Sequence, residues 1–181
     1  MVVIGGGSGG LACAKRAASY GKKVAIVEEK AYGGTCVNVG CVPKKIMYNA
    51  SHIAEAIKDA EEFGFVNVHK EKVTFDWAAM KASRDRYIKR LNGIYESGLD
   101  KVHIERISGH ASLSGKGKVK VTSPGKETEL AADSILIAVG GAPKPLGVAG
   151  EEHVIDSDGF FALNSQPKKV GTNLSLVHHR K

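Results

Sequence analysis

The chain has 181 residues, 43% apolar and 25% charged, a globular mixture that argues against disorder; no apolar run nears the roughly 20 residues of a bilayer span. A net charge of +7 permits anionic partners, yet no zinc-finger spacing, RNP-like aromatic motif or long Lys/Arg run points to nucleic acid. Three cysteines are too few for a secreted disulfide scaffold, and Met1-Val-Val-Ile-Gly shows neither a basic region nor a cleavage site, so an intracellular protein is expected.

In chain order, Val2–Ile4 is a short apolar run ending in glycines, as a buried parallel strand requires. From Ser8 to Tyr20, Leu11, Ala14 and Ala18 recur at helical spacing, with Gly21 as the stop. Lys23–Glu28 is the next strand, which completes a right-handed βαβ unit. A glycine-interrupted loop is expected over Ala31–Gly40. Ile46, Ala50, Ile53, Ala54, Ile57 and Ala60 then mark a helix closed by Gly64, and a second helix runs from about Phe75 to Gly98. Short strands are expected at His103–Ile107, Ala111–Leu113, Lys118–Val121 and Glu127–Leu130, with hairpin turns at Gly115, Gly117 and Ser123-Pro-Gly125. Ile135–Val139 returns to the parallel sheet. The fold class is α/β: a Rossmann-like domain with a parallel sheet, a helical excursion and a small antiparallel β-meander.

Gly5-Gly-Gly7-Ser8-Gly9-Gly10 satisfies G-x-G-x-x-G after a strand and at the opening of a helix. Gly5 allows the tight turn, Gly7 admits a pyrophosphate to the backbone, and Gly10 permits close helix–sheet packing. The helix start offers free N–H groups and partial positive charge to phosphate. Glu28 ends the second strand, where its carboxylate can accept both ribose hydroxyls and would repel a 2′-phosphate; the expected ligand is FAD or NAD(H) rather than NADPH.

The stretch Gly33-Gly-Thr35-Cys36-Val-Asn-Val-Gly40-Cys41-Val-Pro-Lys44-Lys45 carries most of the chemical information. Four residues separate the cysteines, so they can close into a disulfide if the chain bends at Gly40. A loop this short stabilises folding by only about 2 kcal/mol, which makes a purely structural staple a poor explanation. A redox pair, a metal site and two unrelated thiols remain as readings. Zinc needs four ligands and His52 has no companion at ligand spacing, so no metal is expected. Lys44 and Lys45 place positive charge beside the sulfurs and are expected to favour thiolate. Cys13, mid-helix among alanines, reads as a small buried hydrophobe.

Taken together, the glycine turn, Glu28 and the cysteine stretch resemble the pyridine nucleotide–disulfide oxidoreductase family. Arg84-Asp-Arg-Tyr87-Ile-Lys-Arg-Leu-Asn-Gly-Ile-Tyr95 and Ser157-Asp-Gly-Phe-Phe161 resemble the branch that reduces glutathione disulfide, over Met1 to about Val170. The resemblance implies an NADPH-dependent flavoprotein oxidoreductase in which FAD, reduced by NADPH on a second domain, reduces a Cys36–Cys41 disulfide, and the dithiol reduces glutathione disulfide. Cys36 would be the interchange thiol that attacks substrate and Cys41 the charge-transfer thiol against the flavin. Gly5, Gly7, Ser8, Gly9 and Gly10 would hold the pyrophosphate, Glu28 the ribose, and Thr35 and Lys44 would lie near the flavin. Ala111 would give a backbone contact near the adenine. Ser8, Lys15, Tyr87 and Tyr95 match substrate-contacting positions, although Tyr87 and Tyr95 share a helix face with Leu91 and core packing explains them equally well. Lys15 stands where many relatives carry arginine, and lacks its bidentate fork.

The resemblance also marks departures. Residues 1–170 are expected to form the first segment of an FAD-binding domain and 171–181 an aberrant tail containing His178 and His179. The NADPH, central and interface domains are expected to be absent, together with the acid–base histidine normally reaching over from a homodimeric partner. The fragment is expected to be inactive alone. Val139 replaces the threonine usual near the flavin. The expected compartment is cytoplasmic, with a mitochondrial form also compatible. A fragment of a thioredoxin-reducing relative, a non-catalytic FAD-binding module, and an interaction fragment pairing with a full-length subunit are the alternatives.

Overall fold

The computed structural model describes residues 1–172; most of the segment expected as a tail, with His178 and His179, lies outside the described residues. A four-stranded parallel sheet has the order β3-β2-β1-β7, formed by β1 (Val2–Ile4), β2 (Ala25–Glu28), β3 (Glu105–Ser108) and β7 (Ile135–Ile137). Helix α1 (Ser8–Ser19) crosses from β1 to β2. Then come α2 (Gly34–Val39), α3 (Cys41–Asp59) and α4 (Trp77–Asp100). An antiparallel meander of β4 (His110–Gly115), β5 (Lys118–Ser123) and β6 (Lys126–Ala131) precedes β7, and α5 (Ser157–Ala162) follows it.

Alternation along β1 sorts the core into two layers. Val3 points toward the helices and packs with Leu11, Ala14, Val24, Ile26, Tyr32, Leu99 and Ile104. Val2 and Ile4 point the other way, where Val27 joins Val119 and Val121 of the meander. The parallel sheet is therefore covered on both faces, which is why β1 and β2 read as continuous apolar runs.

Five sequence expectations need correction. Residues 31–40 are not simply a loop: they contain α2, entered through Gly33 and Gly34 at φ +105° and +61°. The next helix begins at Cys41, earlier than its apolar periodicity indicates, because Pro43 sits in the first turn where a missing N–H removes no intrahelical bond. The strand expected from His103 starts at Glu105, since the chain turns at His103 with φ +55°. It also joins the parallel sheet, Glu105 opposite Ala25, rather than the hairpins. β7 stops at Ile137, two residues short of Val139. Helix α4 starts two residues later than expected because the Asp76 carboxylate accepts from the Ala79 N–H at 2.9 Å.

Among the described residues no helix is long and apolar enough to cross a membrane.

Candidate active site

The turn from β1 into α1 is built by glycine contacts. A Cβ on Gly5, at φ +105°, would overlap the Ala138 carbonyl, and one on Gly10 would overlap the Gly5 carbonyl. These approaches seat α1 directly on the sheet. The helix N-cap is Gly7, no side chain caps the first turn, and no acidic residue lies within it. Its first N–H groups have no intrahelical acceptor, and Ser8 and Gly9 are exposed there, an arrangement suited to an anion.

Glu28 closes one side of this cradle. Its Oε2 accepts from the Gly6 N–H at 2.6 Å and its Oε1 from the Lys30 N–H at 2.8 Å. A carboxylate offers about four acceptor positions, so each oxygen retains one for a ribose hydroxyl. Gly6, not singled out in the sequence, is buried like Gly10: a Cβ there would fall 2.6 Å from the Tyr32 ring. An uncapped helix start, a carboxylate at the end of β2 and close backbone approach fit the pyrophosphate and ribose of a dinucleotide such as FAD.

The thiols are placed by a helix break. Gly40 lies between α2 and α3 with φ −145° and ψ −117°, and a Cβ on it would fall 2.8 Å from the Thr35 carbonyl oxygen and 3.2 Å from the Cys36 Cα. The chain thus folds back over Cys36 as α3 begins at Cys41. Both cysteines are free thiols, Cys36 half-buried and Cys41 exposed. A hydrogen bond with Cys41, then burial, push the Cys36 thiol above the ordinary cysteine range. This corrects the expectation that Lys44 and Lys45 would favour its thiolate: the lysines lie exposed in the first turn of α3, and Lys45 Nζ sits 5.6 Å over the Tyr48 ring. Cys13 is half-buried, less enclosed than expected.

The two parts meet. A Cβ on Gly34 would fall 2.7 Å from the Gly7 Cα, so the segment leading to Cys36 starts against the cradle. Thr35 is exposed in the first turn of α2. The Gly109 N–H donates to the Glu28 carbonyl at 3.0 Å, which brings Ala111, two residues further on, beside the end of β2. Lys15 reaches across to α4, its Nζ 3.1 Å from where a Gly98 Cβ would stand. Tyr95 packs against the first core cluster, as the packing reading has it, whereas Tyr87 is 42% exposed beneath the Arg90 guanidinium, 4.9 Å away.

Three residues around the site were missed. Asn38 and Asn92 bond to each other at 3.0 Å across α2 and α4. Arg84, only 3% exposed, donates to the Phe161 carbonyl and to Asp85. A signal existed for two of them: Arg84 and Asn92 are polar interruptions near the row Ile88, Leu91, Tyr95 that marks the buried side of α4.

A model of the family described as pyridine nucleotide-disulphide oxidoreductase matches residues 1–173. The chain is 54% identical over 193 positions to the glutathione reductase of Yarrowia lipolytica, the alignment covering 98% of this chain and 41% of that protein. It is 52% identical over 173 positions to the glutathione reductase of Schizosaccharomyces pombe, covering 93% of this chain and 37% of the relative. The chain thus spans about two fifths of the length of the curated relatives it matches.

Proposed function

The chain belongs to the pyridine nucleotide-disulphide oxidoreductase family, and from that premise we propose that it carries the FAD-binding and dithiol portion of a glutathione-disulfide reductase. One observation carries the reading: Gly34 lies against Gly7, so the glycine turn that would hold the pyrophosphate touches the segment leading to Cys36 and Cys41. Identity above 50% to two glutathione reductases supports glutathione disulfide as the substrate. Residues 1–170 form the first segment of the flavin domain on this reading.

Gly5, Gly7, Ser8, Gly9 and Gly10 would hold the pyrophosphate, Glu28 the ribose, Ala111 the adenine side, and Thr35 and Lys44 the flavin side. When bound, FAD supplies two electrons, drawn from NADPH in a chain of the relatives' length, to the Cys36–Cys41 disulfide. Two protons complete the dithiol. The Cys36 thiolate then attacks a sulfur of glutathione disulfide and expels one glutathione thiolate. The Cys41 thiolate attacks Cys36 Sγ, expels the second, and restores the disulfide. Because the Cys36 proton is held tightly, a base must remove it; the partner subunit of a homodimer is the proposed source. Ser8, Lys15, Tyr87 and Tyr95 are the proposed substrate contacts. The proposed compartment is the cytoplasm or the mitochondrial matrix, where thiols are kept reduced.

The test is to load the pure chain with FAD and oxidise it with glutathione disulfide. Two thiols should be lost per chain, and neither Cys36→Ser nor Cys41→Ser should form the internal bond. FAD retention with no thiol loss would leave only a non-catalytic flavin-binding module.

A further inference from the structure

Helix α2, which carries Cys36, has six residues and no side-chain cap, and is entered through two left-handed glycines. A helix this short does not hold itself in water, where roughly 12–15 residues are marginal. Its order comes from elsewhere. Asn92 of α4 donates from Nδ2 to the Tyr32 carbonyl oxygen at 2.7 Å and to Asn38 Oδ1 at 3.0 Å. Asn38 carries the chain of amides onward: its Nδ2 donates to the Gly34 carbonyl at 2.9 Å and reaches those of Tyr32 and Ala31 at 3.4 and 3.5 Å. A polar bridge therefore runs from α4 into α2 at Asn38, two residues beyond Cys36 and three before Cys41.

We infer that Asn92 is a positioning residue for the thiol pair: through Asn38 it fixes α2 so that Cys36 stays within reach of Cys41, and it thereby sets the dithiol–disulfide equilibrium. The inference rests on the proposed redox role of that pair. In the reaction concerned, the Cys36 and Cys41 thiols and one glutathione disulfide give the internal disulfide and two glutathione thiols. Its equilibrium constant scales with the effective concentration of one thiol at the other, which falls when α2 loosens.

The experiment equilibrates the purified 181-residue chain in glutathione redox buffers, traps the thiols by alkylation, and reads the oxidised fraction by mass. Asn92→Ala should shift the half-oxidation ratio toward the dithiol by on the order of tenfold, the effect of losing about one net hydrogen bond. Asn92→Asp, isosteric but without the donating N–H, should move the same way and stands in if the alanine variant fails to fold. Val119→Ala trims the second core cluster, remote from α2, and should lower the unfolding midpoint without moving the redox midpoint. Wild-type midpoints in both Asn92 variants would overturn the inference, as would an equal shift in Val119→Ala. If the wild type forms no internal disulfide at any ratio, the functional reading itself falls, and the inference with it, before any variant is compared.

Discussion

The Arg84 guanidinium donates from Nη2 to the Phe161 carbonyl oxygen at 2.7 Å, so a buried cation on α4 holds the short helix α5. The same side chain reaches Met47 on α3 and stacks within 5.8 Å of the Phe161 ring. Three helices thus depend on one residue.

Replacing Arg84 separates packing from bonding. Arg84→Met keeps the stem and should lower stability by about 1–2 kcal/mol, whereas Arg84→Ala also opens a cavity and should cost about 3 kcal/mol, read from urea unfolding. Asp85 adds a pH signature. Burial raises its pKa, but hydrogen bonds from Lys81 and Arg84 outweigh burial and hold the carboxyl below the ordinary value. A depressed carboxylate contributes stability above its unfolded pKa and loses it as pH falls through the folded one. Arg84→Met should therefore flatten the acid limb of the stability profile.

The cradle glycines differ in what they tolerate. Gly10→Ala forces a Cβ into the Gly5 carbonyl and should destabilise the chain by on the order of 3 kcal/mol. Gly9 has open space around its Cβ position, so Gly9→Ala should leave thermal stability unchanged or raise it by up to about 1 kcal/mol, since alanine favours helix. If the first-turn N–H groups hold a pyrophosphate, the same Gly9→Ala variant should nevertheless bind FAD more weakly, measured by flavin fluorescence. Unchanged FAD affinity would place the phosphate elsewhere.

The contrast between what the sequence reveals and what it hides follows from range. β1, the glycine turn, α1 and β2 were readable because apolar runs and glycine spacing are local signals. Cys36 and Cys41 were readable for the same reason. Helix α2 was not: glycines, threonine and asparagine read as loop, and its order comes from Asn92, 54 residues away from its partner Asn38. β3 carries Glu-Arg-Ile-Ser, mostly exposed at the sheet edge, and a half-polar strand gives no hint of a parallel partner in β2, far earlier in the chain. The Arg84–Phe161 bond spans 77 residues and was equally invisible.

Tyr32 should report the integrity of the core at alkaline pH. Burial is the main cause that pushes its phenol from 10.0 to about 12; Arg106 opposes this, while Glu28, Glu96 and Asp100 add to it. Its hydroxyl is buried and has no hydrogen-bond partner among the described residues. The unfolded chain releases this proton near pH 10 and the folded chain does not, so stability is intact below 10 and should fall by roughly 2 kcal/mol as pH reaches 12. Tyr32→Phe should abolish that dependence and leave neutral-pH stability equal or higher, because an unpartnered buried hydroxyl is lost. Unfolding midpoints at pH 8 to 12 for both proteins decide the matter.

The raised Cys36 pKa makes a prediction about reactivity without flavin. With its proton held by the contact with Cys41, Cys36 should alkylate slowly at neutral pH and accelerate only above the ordinary cysteine value of about 8.5. Cys41→Ala removes the largest cause of that shift, so the thiolate fraction at neutral pH should rise and Cys36 should label faster than in the unaltered chain. Lys44→Ala should leave the rate unchanged, because the shift comes from Cys41 and burial rather than from the neighbouring ammonium groups. Iodoacetamide kinetics followed by mass spectrometry separate the cases. Slower labelling in Lys44→Ala would show that the lysine does activate the thiol, and no acceleration in Cys41→Ala would show that the two sulfurs do not share a proton at all.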